Sequence, residues 1–350
     1  MIMTEILPIV MNKQFEKLAV VDEYTSLIWT TRFYKCGDFE LCVDVDQKTT
    51  GLFKEGYYIY REDDDNVGVV EKIQIQKTQD DQELLIITGR FLPSIIARRI
   101  IAQQTVVNGT VSTCVNKLLT DAIINPSIAA RKISNFILGS YAISQTMQAQ
   151  YTGDNLLDTI SAIGQTYGVG FKVILNDQNQ FVFTMFEGVD HSYDQSENPY
   201  VVFSDEYDNL LSSQYFEDYK ELVTDVLVAG EGEGLDRKTL WVSEVNNTGL
   251  NRYEMYKDQR NLQSNDGEIT EADYEAQMRE SGLESITTIT TAFTGTVYFG
   301  NVQWKQDVNI GDICVIENKK WGIYINSRLV EVIESVNEAG EYSIVPSFGI

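Results

Sequence analysis

A single histidine, His191, limits the chemistry open to this 350-residue chain. Nucleophilic triads use histidine as base and most zinc sites use it as a ligand, so one is too few for most of them. Its setting, Asp190-His-Ser-Tyr-Asp194, is a polar loop where a solvated ring is expected. Carboxylates are abundant instead. Two of them across a glycosidic bond would supply acid and base or nucleophile. With 52 Asp and Glu, some pairs meet that spacing by chance, and the sequence singles out none. Gly230-Glu-Gly-Glu-Gly234 has the glycines of a phosphate cradle. Its glutamates would repel phosphate and no Gly-Lys-Ser/Thr follows, so it reads as a flexible loop leaving a strand. Asp63-Asp64-Asp65-Asn66 with Gly68 hints at calcium, but Val67 falls where an EF-hand places a ligand and no glutamate closes the loop. A charged hairpin tip that discourages edge pairing is expected there. Asn108-Gly-Thr110 and Asn246-Asn-Thr248 fit glycosylation acceptors, yet without a secretion signal they read as caps or turns. Cys36, Cys42, Cys114 and Cys314 form no CxxC pair and read as buried, reduced thiols. No catalytic, cofactor-binding or metal-ligating residue is nominated, and no cofactor is expected.

The charge balance narrows the partners. There are 27 Lys and Arg against 52 Asp and Glu, a net charge of 27 − 52 = −25. Such a surface repels phosphate and anionic lipid, which argues against DNA reading through a basic patch and against a membrane-surface role. No apolar run approaches a membrane span, and Met1-Ile-Met-Thr-Glu5 lacks the features of a signal peptide. A soluble protein made in the cytoplasm is the expectation.

The elements behind these residues are mostly strands, as 19 tyrosines and 15 phenylalanines suggest. Up to about residue 100 the pattern alternates: Ile73-Gln-Ile-Gln76 has period two, and Glu83–Ile87 is a short apolar run. The run Glu62–Asn66 between these strands and Tyr57–Tyr60 is the hairpin tip. Val111, Val115, Leu118, Leu119 and Ala122 then fall at helical spacing behind Thr110 as N-cap, with Pro126 beyond the end. A second helix carries Leu156, Leu157, Ile160, Ile163 and Tyr167, with Asp154 as its cap and Gly168 as its stop. Strands Phe171–Leu175 and Phe181–Phe186 follow around the turn Asn176–Gln180. Strands return at Tyr200–Phe203 and Leu222–Val228; Thr270-Glu-Ala-Asp273 opens a helix running to Gly282. Strands close the chain at Thr296–Phe299, Ile313–Ile316, Gly322–Ile325, Leu329–Ile333 and Tyr342–Val345.

Several patterns, in this order, resemble the tail-hub family of long-tailed phages, which includes the N-terminal hub region of tail-associated lysozymes. They are Trp29-Thr-Thr-Arg32 with Gly37-Asp-Phe-Glu-Leu41, Thr88-Gly-Arg90 leading to Ala97-Arg-Arg-Ile100, and Asn155-Leu-Leu-Asp158. Gly188-Val-Asp190, Val202-Phe-Ser204 with Asn209-Leu210, Gly311-Asp312 and Phe348-Gly349 complete the set. They span nearly the whole chain. His191 departs from the family pattern, which has an arginine after Gly-x-Asp. Relatives that cut peptidoglycan extend well beyond the hub, whereas this sequence stops at Ile350, so lytic activity is not carried over.

The resemblance implies a β-rich α+β fold: two antiparallel β-barrel-like domains with an inserted α/β domain and a helical excursion. With the residue patterns it gives a first barrel at 1–100, an α/β insert at 101–195, a second barrel at 196–230 and 285–350, and a polar, helical insertion at 231–284. It further implies a homotrimeric ring at the virion tail tip, assembled in the host cytoplasm. Its partners would be the distal tail ring protein, the tape measure protein and a tip fibre or receptor-binding protein. DNA would pass through the ring without specific binding, and no stable membrane insertion is expected. The competing expectations are a carbohydrate-binding module and a cell-wall hydrolase.

Overall fold

The computed structural model describes residues 6–77, 81–287, 290–297 and 302–349. The first β region runs through β1 (Ile9–Met11), β2 (Lys17–Val20), β3 (Ser26–Arg32), β4 (Asp38–Asp44), helix α1 (Gln47–Leu52), β5 (Tyr58–Tyr60), β6 (Val67–Lys77) and β7 (Glu83–Phe91). Alternation puts Leu27, Trp29, Phe39, Leu41, Leu85 and Ile87 into one core. The two halves of the Trp29/Gly37 pattern do form an antiparallel pair, β3 on β4. Ile73 and Ile75 lie in a strand as expected but remain 40% and 59% exposed. The reason is coverage: β5 pairs only with Val67–Val69 of β6, leaving the rest of that strand without a neighbour on its outer side among the described residues.

The middle segment is built from β8 (Thr105–Thr110), α2 (Val111–Leu119), β9 (Phe136–Leu138), β10 (Thr146–Tyr151), α3 (Leu156–Tyr167), β11 (Gly170–Leu175) and β12 (Phe181–Phe186). Thr110 caps α2 as expected, accepting from the Thr113 amide. Helix α3 ends at Gly168, whose φ of 67° is the left-handed conformation that glycine adopts without strain. Its start departs from the sequence reading. Asn155, not Asp154, is the cap, accepting from the amides of Leu157 and Asp158, while Asp154 folds back onto the Thr152 amide. The apolar faces of α2 and α3 meet β11 and β12 in a core that also takes in Val67, Val69, Leu92, Ile95 and Ile96.

The second β region begins with β13 (Val202–Ser204) and β14 (Leu210–Asp218). The chain then leaves it for β15 (Asp225–Ala229), β16 (Thr239–Ser243), β17 (Glu254–Asp258) and helix α4 (Glu271–Leu283). This excursion is therefore more than a helix. Its three strands form a sheet of their own, with Val226, Val228, Val242, Tyr274 and Met278 as core. Strands β16 and β17 escaped notice because β17 is exposed at all but one position, and in the short β16 the exposed Trp241 sits between the inward Leu240 and Val242 and masks their alternation. Thr270 caps α4 by accepting from the Asp273 amide. The return comprises β18 (Thr290–Val297), β19 (Ile313–Asn318), β20 (Ile323–Val336) and β21 (Tyr342–Gly349). Tyr298 and Phe299 of the expected strand Thr296–Phe299 lie outside the described residues.

Two strands expected at Gly322–Ile325 and Leu329–Ile333 are one, the 14-residue β20. Its length decides the architecture. One end pairs with β19, the other with β21 on one side and β3 on the other. Through the β20–β3 pairing, Glu331 opposite Arg32 to Val336 opposite Leu27, both β regions join a single 13-stranded sheet. The fold is β-rich α+β as expected, and no closed barrel forms among the described residues.

Candidate functional site

The acidic hairpin tip between β5 and β6 marks the place where the first β region, the middle segment and the second β region converge. A cleft of about 690 Å³ lies here, lined by residues that include Arg32, Asp64, Lys172, Trp304 and Lys305. Arg61 follows β5 and is 1% exposed, its guanidinium 5.5 Å from the centre of the Trp29 ring. It donates to Asp63 at 2.5 and 2.9 Å and to Glu334 of β20 at 3.0 Å. Lys305 reaches Asp64 at 2.5 Å and Glu334 at 3.2 Å, and the Tyr342 hydroxyl donates to Glu334 at 2.8 Å. From the middle segment, Lys172 of β11 donates to Asp65 at 2.9 Å. Three consecutive aspartates thus engage three cations, one from each converging part.

Burial opposes the charge on Arg61, but the hydrogen bond it donates to Asp63 and the charge of Glu334 outweigh it and hold the guanidinium above its usual value. Burial would raise Glu334, yet the charges of Arg61 and Lys305 bring its carboxyl below the usual range. Asp63 is lowered in the same way, burial losing to Arg61. Carboxylates held low and already occupied by cations are weak proton acceptors, so this cluster is a clasp and not acid–base machinery. The tip was expected to be a charged hairpin end that discourages edge pairing. It is a hairpin tip, but the Asp64 side chain is 2% exposed because Lys305, 241 residues away, closes over it.

A second knot joins two of the family patterns. Gly188 packs so tightly on Gly311 that a Cβ there would sit 1.8 Å from the Gly311 carbonyl oxygen. Asp312 accepts from the amides of Val189 and Asn309, each at 2.7 Å. His191 belongs to this knot: it is 9% exposed, with Nδ1 2.7 Å from the Pro199 carbonyl oxygen and Nε2 3.5 Å from Asp312. The solvated loop histidine expected from its polar neighbours is instead buried, because the chain here bridges to Ile313 and places the ring between the Pro199 carbonyl and Asp312. Asn209 performs a similar local task, bridging the Ser204 amide and the Val202 carbonyl. Arg32 binds Asp38 on β4 and Glu331 on β20.

One carboxylate pair escaped the sequence reading. Glu280 and Glu284, one turn apart on α4, face the middle segment, where Tyr167 and Tyr151 donate to them at 2.5 and 2.8 Å. Burial raises the carboxyl pKa of both, the Tyr167 phenol partly offsetting it for Glu280, and Lys257 and Tyr151 for Glu284. A raised carboxyl can act as a general acid. These two are sealed under α4, with phenols against the oxygens that a substrate would need. Their i, i+4 spacing was the available signal, but it is common in an acidic chain. Gly230–Gly234 is a loop leaving β15, as expected, and Glu231 in it binds Lys238 and the Ser264 amide. Among the described residues no cluster suited to a metal ion occurs.

Residues 7–350 match the Siphovirus ReqiPepy6 Gp37-like protein family. The fold is similar to a tail protein from Neisseria meningitidis MC58, with a TM-score of 0.58 at 13% identity over 99% of this chain and 96% of that one. It is also similar to the 43 kDa tail protein of prophage MuSo2 from Shewanella oneidensis, with a TM-score of 0.54 at 13% identity over 98% of each chain. Prophage tail protein gp18 from Listeria monocytogenes EGD-e gives a TM-score of 0.53 at 15% identity, over 98% of this chain and 94% of that one. No curated protein matches in sequence. The chain belongs to the Siphovirus ReqiPepy6 Gp37-like family and has the fold of phage and prophage tail proteins.

Proposed function

We propose that this chain is a structural hub subunit of a phage or prophage tail tip, active through assembly and not through catalysis. The observation that carries the reading is the end-to-end fold match with a prophage tail protein, 98% of each chain. In this reading three copies close a ring that joins the tail tube to a tip fibre or receptor-binding protein. The distal tail ring protein and the tape measure protein are its neighbours. Part of the surplus of 52 acidic over 27 basic residues lines the bore, where negative charge keeps passing DNA off the wall. Within the subunit, 1–100 and 196–230 with 285–350 act as the two tube-facing units, and 101–195 and 231–284 as inserts. The clasp and the Gly188–Gly311 knot serve this role by fixing the parts as one rigid piece.

Electron microscopy of particles labelled with antibody against this chain tests the reading. Label at the distal end of the tail is expected. Label on the head, or particles without the chain, would overturn it. Purified protein is expected to leave peptidoglycan intact, and muralytic activity abolished by one Glu or Asp substitution would move the reading to a hydrolase.

A further inference from the structure

One family pattern, Ala97-Arg-Arg-Ile100, takes no part in the clasp or the knot. After β7 the chain makes a short turn of helix, Leu92–Arg98, whose first five residues are buried and whose end emerges at Arg98. Arg99 there donates to the carbonyls of Arg131 and Arg98, each at 3.0 Å, and Arg131 donates to the carbonyl of Ile100. These bonds bring Arg98, Arg99 and Arg131 together, and the exposed Lys132 follows Arg131 in the chain. None of the four forms an ion pair among the described residues. Glu71, which senses Arg98, is already gripped through both oxygens by Arg90. Burial first, then the like charges of Arg131 and Arg98, lower the Arg99 guanidinium. Ile100 and Ile128 lie beside these cations, 50% and 58% exposed.

Four neighbouring cations outside any ion pair among the described residues stand out on a chain of net charge −25. Elsewhere the clasp shows that this fold neutralises cations where only internal packing is at stake. An uncompensated basic patch edged by exposed isoleucines has the composition of an interface, in which arginine and apolar groups are enriched.

We propose that this patch is one half of the contact between successive copies of the chain, its occupant being an acidic surface on a second copy. The proposal rests on the ring reading above and deepens it. Charge complementarity selects the occupant, since nearly any other face of this acidic chain attracts the patch. The sign also bears on symmetry. A contact centred on a twofold axis would place the patch against itself, cation on cation; the ring reading instead calls for a heterologous contact, the patch against a different surface of the neighbour. Heterologous contacts that close give a ring, which a trimer requires.

The test compares absolute masses by light scattering for the wild type, for Arg98→Glu with Lys132→Glu, and for a charge-matched control, Lys48→Glu with Lys320→Glu. All four side chains are exposed. The expected result is a mass of about 119 kDa, three times 39.7 kDa, for wild type and control, with the patch variant at 39.7 kDa at the same concentration. A patch variant that stays at the trimer mass like the control overturns the proposal while leaving the ring intact. A wild type at 39.7 kDa at every concentration removes the ring and the proposal together. Labelled duplex DNA retained by wild type and released by the patch variant would reassign the patch to nucleic acid and overturn the proposal. If the patch variant melts far below wild type, salt decides. Wild-type trimers that dissociate as the Debye length falls from about 10 Å to about 3 Å support it, and salt-independent trimers refute it.

Discussion

Two joints hold the inserted parts of this molecule, and they use carboxylates in opposite ways. At the clasp, Glu334 is surrounded by Arg61, Lys305 and Tyr342, and its charge is favoured. At the seam between α4 and the middle segment, Glu280 and Glu284 meet mainly phenols, and their charge is disfavoured. The same residue type thus locks one joint when ionised and tightens the other when protonated. The lesson is that burial alone does not set the behaviour of a carboxylate; the partner does.

The largest expected effect is at the clasp. Arg61→Ala leaves Glu334 buried with half of its compensation gone, a loss of about 3–5 kcal/mol of stability. Denaturant unfolding checks it, and a loss near that of an exposed ion pair would show that the clasp bears no load. Replacing Gly188 by alanine comes next, since the added methyl meets the Gly311 carbonyl at 1.8 Å. A cost of about 1–3 kcal/mol is expected from overpacking, and an unchanged melting temperature would mean that the two loops are free to part.

The two joints separate with pH. Glu280 and Glu284 have raised values, so the folded seam binds protons more readily than the unfolded chain does. Its stability therefore grows as pH falls from neutrality through their folded values toward the ordinary 4.5. Glu334 and Asp63 have lowered values, so their contribution is complete above the ordinary 4.5 and 3.8 and is lost as pH falls through their folded values. Hydrogen exchange is expected to show α4 and β10 better protected at mildly acidic pH than at neutral pH, with β3 and β20 unchanged. Glu280→Gln with Glu284→Gln should flatten that gain, and a seam that loosens on mild acidification would contradict the assignment. The smallest effect is expected from Asn155→Ala, which removes the cap of α3 at about 1 kcal/mol without touching either joint. A cost several times larger would show that the Asn155 bond to the Ala97 carbonyl carries more than the cap does.

Local signals were legible where local physics decides. The apolar stripe and glycine stop of α3, the cap of α2 and the β3–β4 pair all follow from residues a few positions apart. What escaped depends on distant contacts. Arg61 carries no local signal, since the carboxylate it meets when buried, Glu334, lies 273 residues later in the chain. His191 reads as solvated until Asp312 arrives, 121 residues away in number, and two short strand signals read as two strands until β20 is seen to serve both β regions. The family patterns were readable as patterns, but their meaning was not: Gly188 needs its glycine because a Cβ would strike the Gly311 carbonyl, and Gly311 needs its own because its φ is +93° and the Phe33 ring lies against it.

The most direct test of the assembly reading is absolute mass across a concentration series, alone and with the purified tail-tube end. A species near 119 kDa, three times 39.7 kDa, is the expected result. A monomer of 39.7 kDa throughout, which also fails to bind the tube end, would contradict a ring-forming hub.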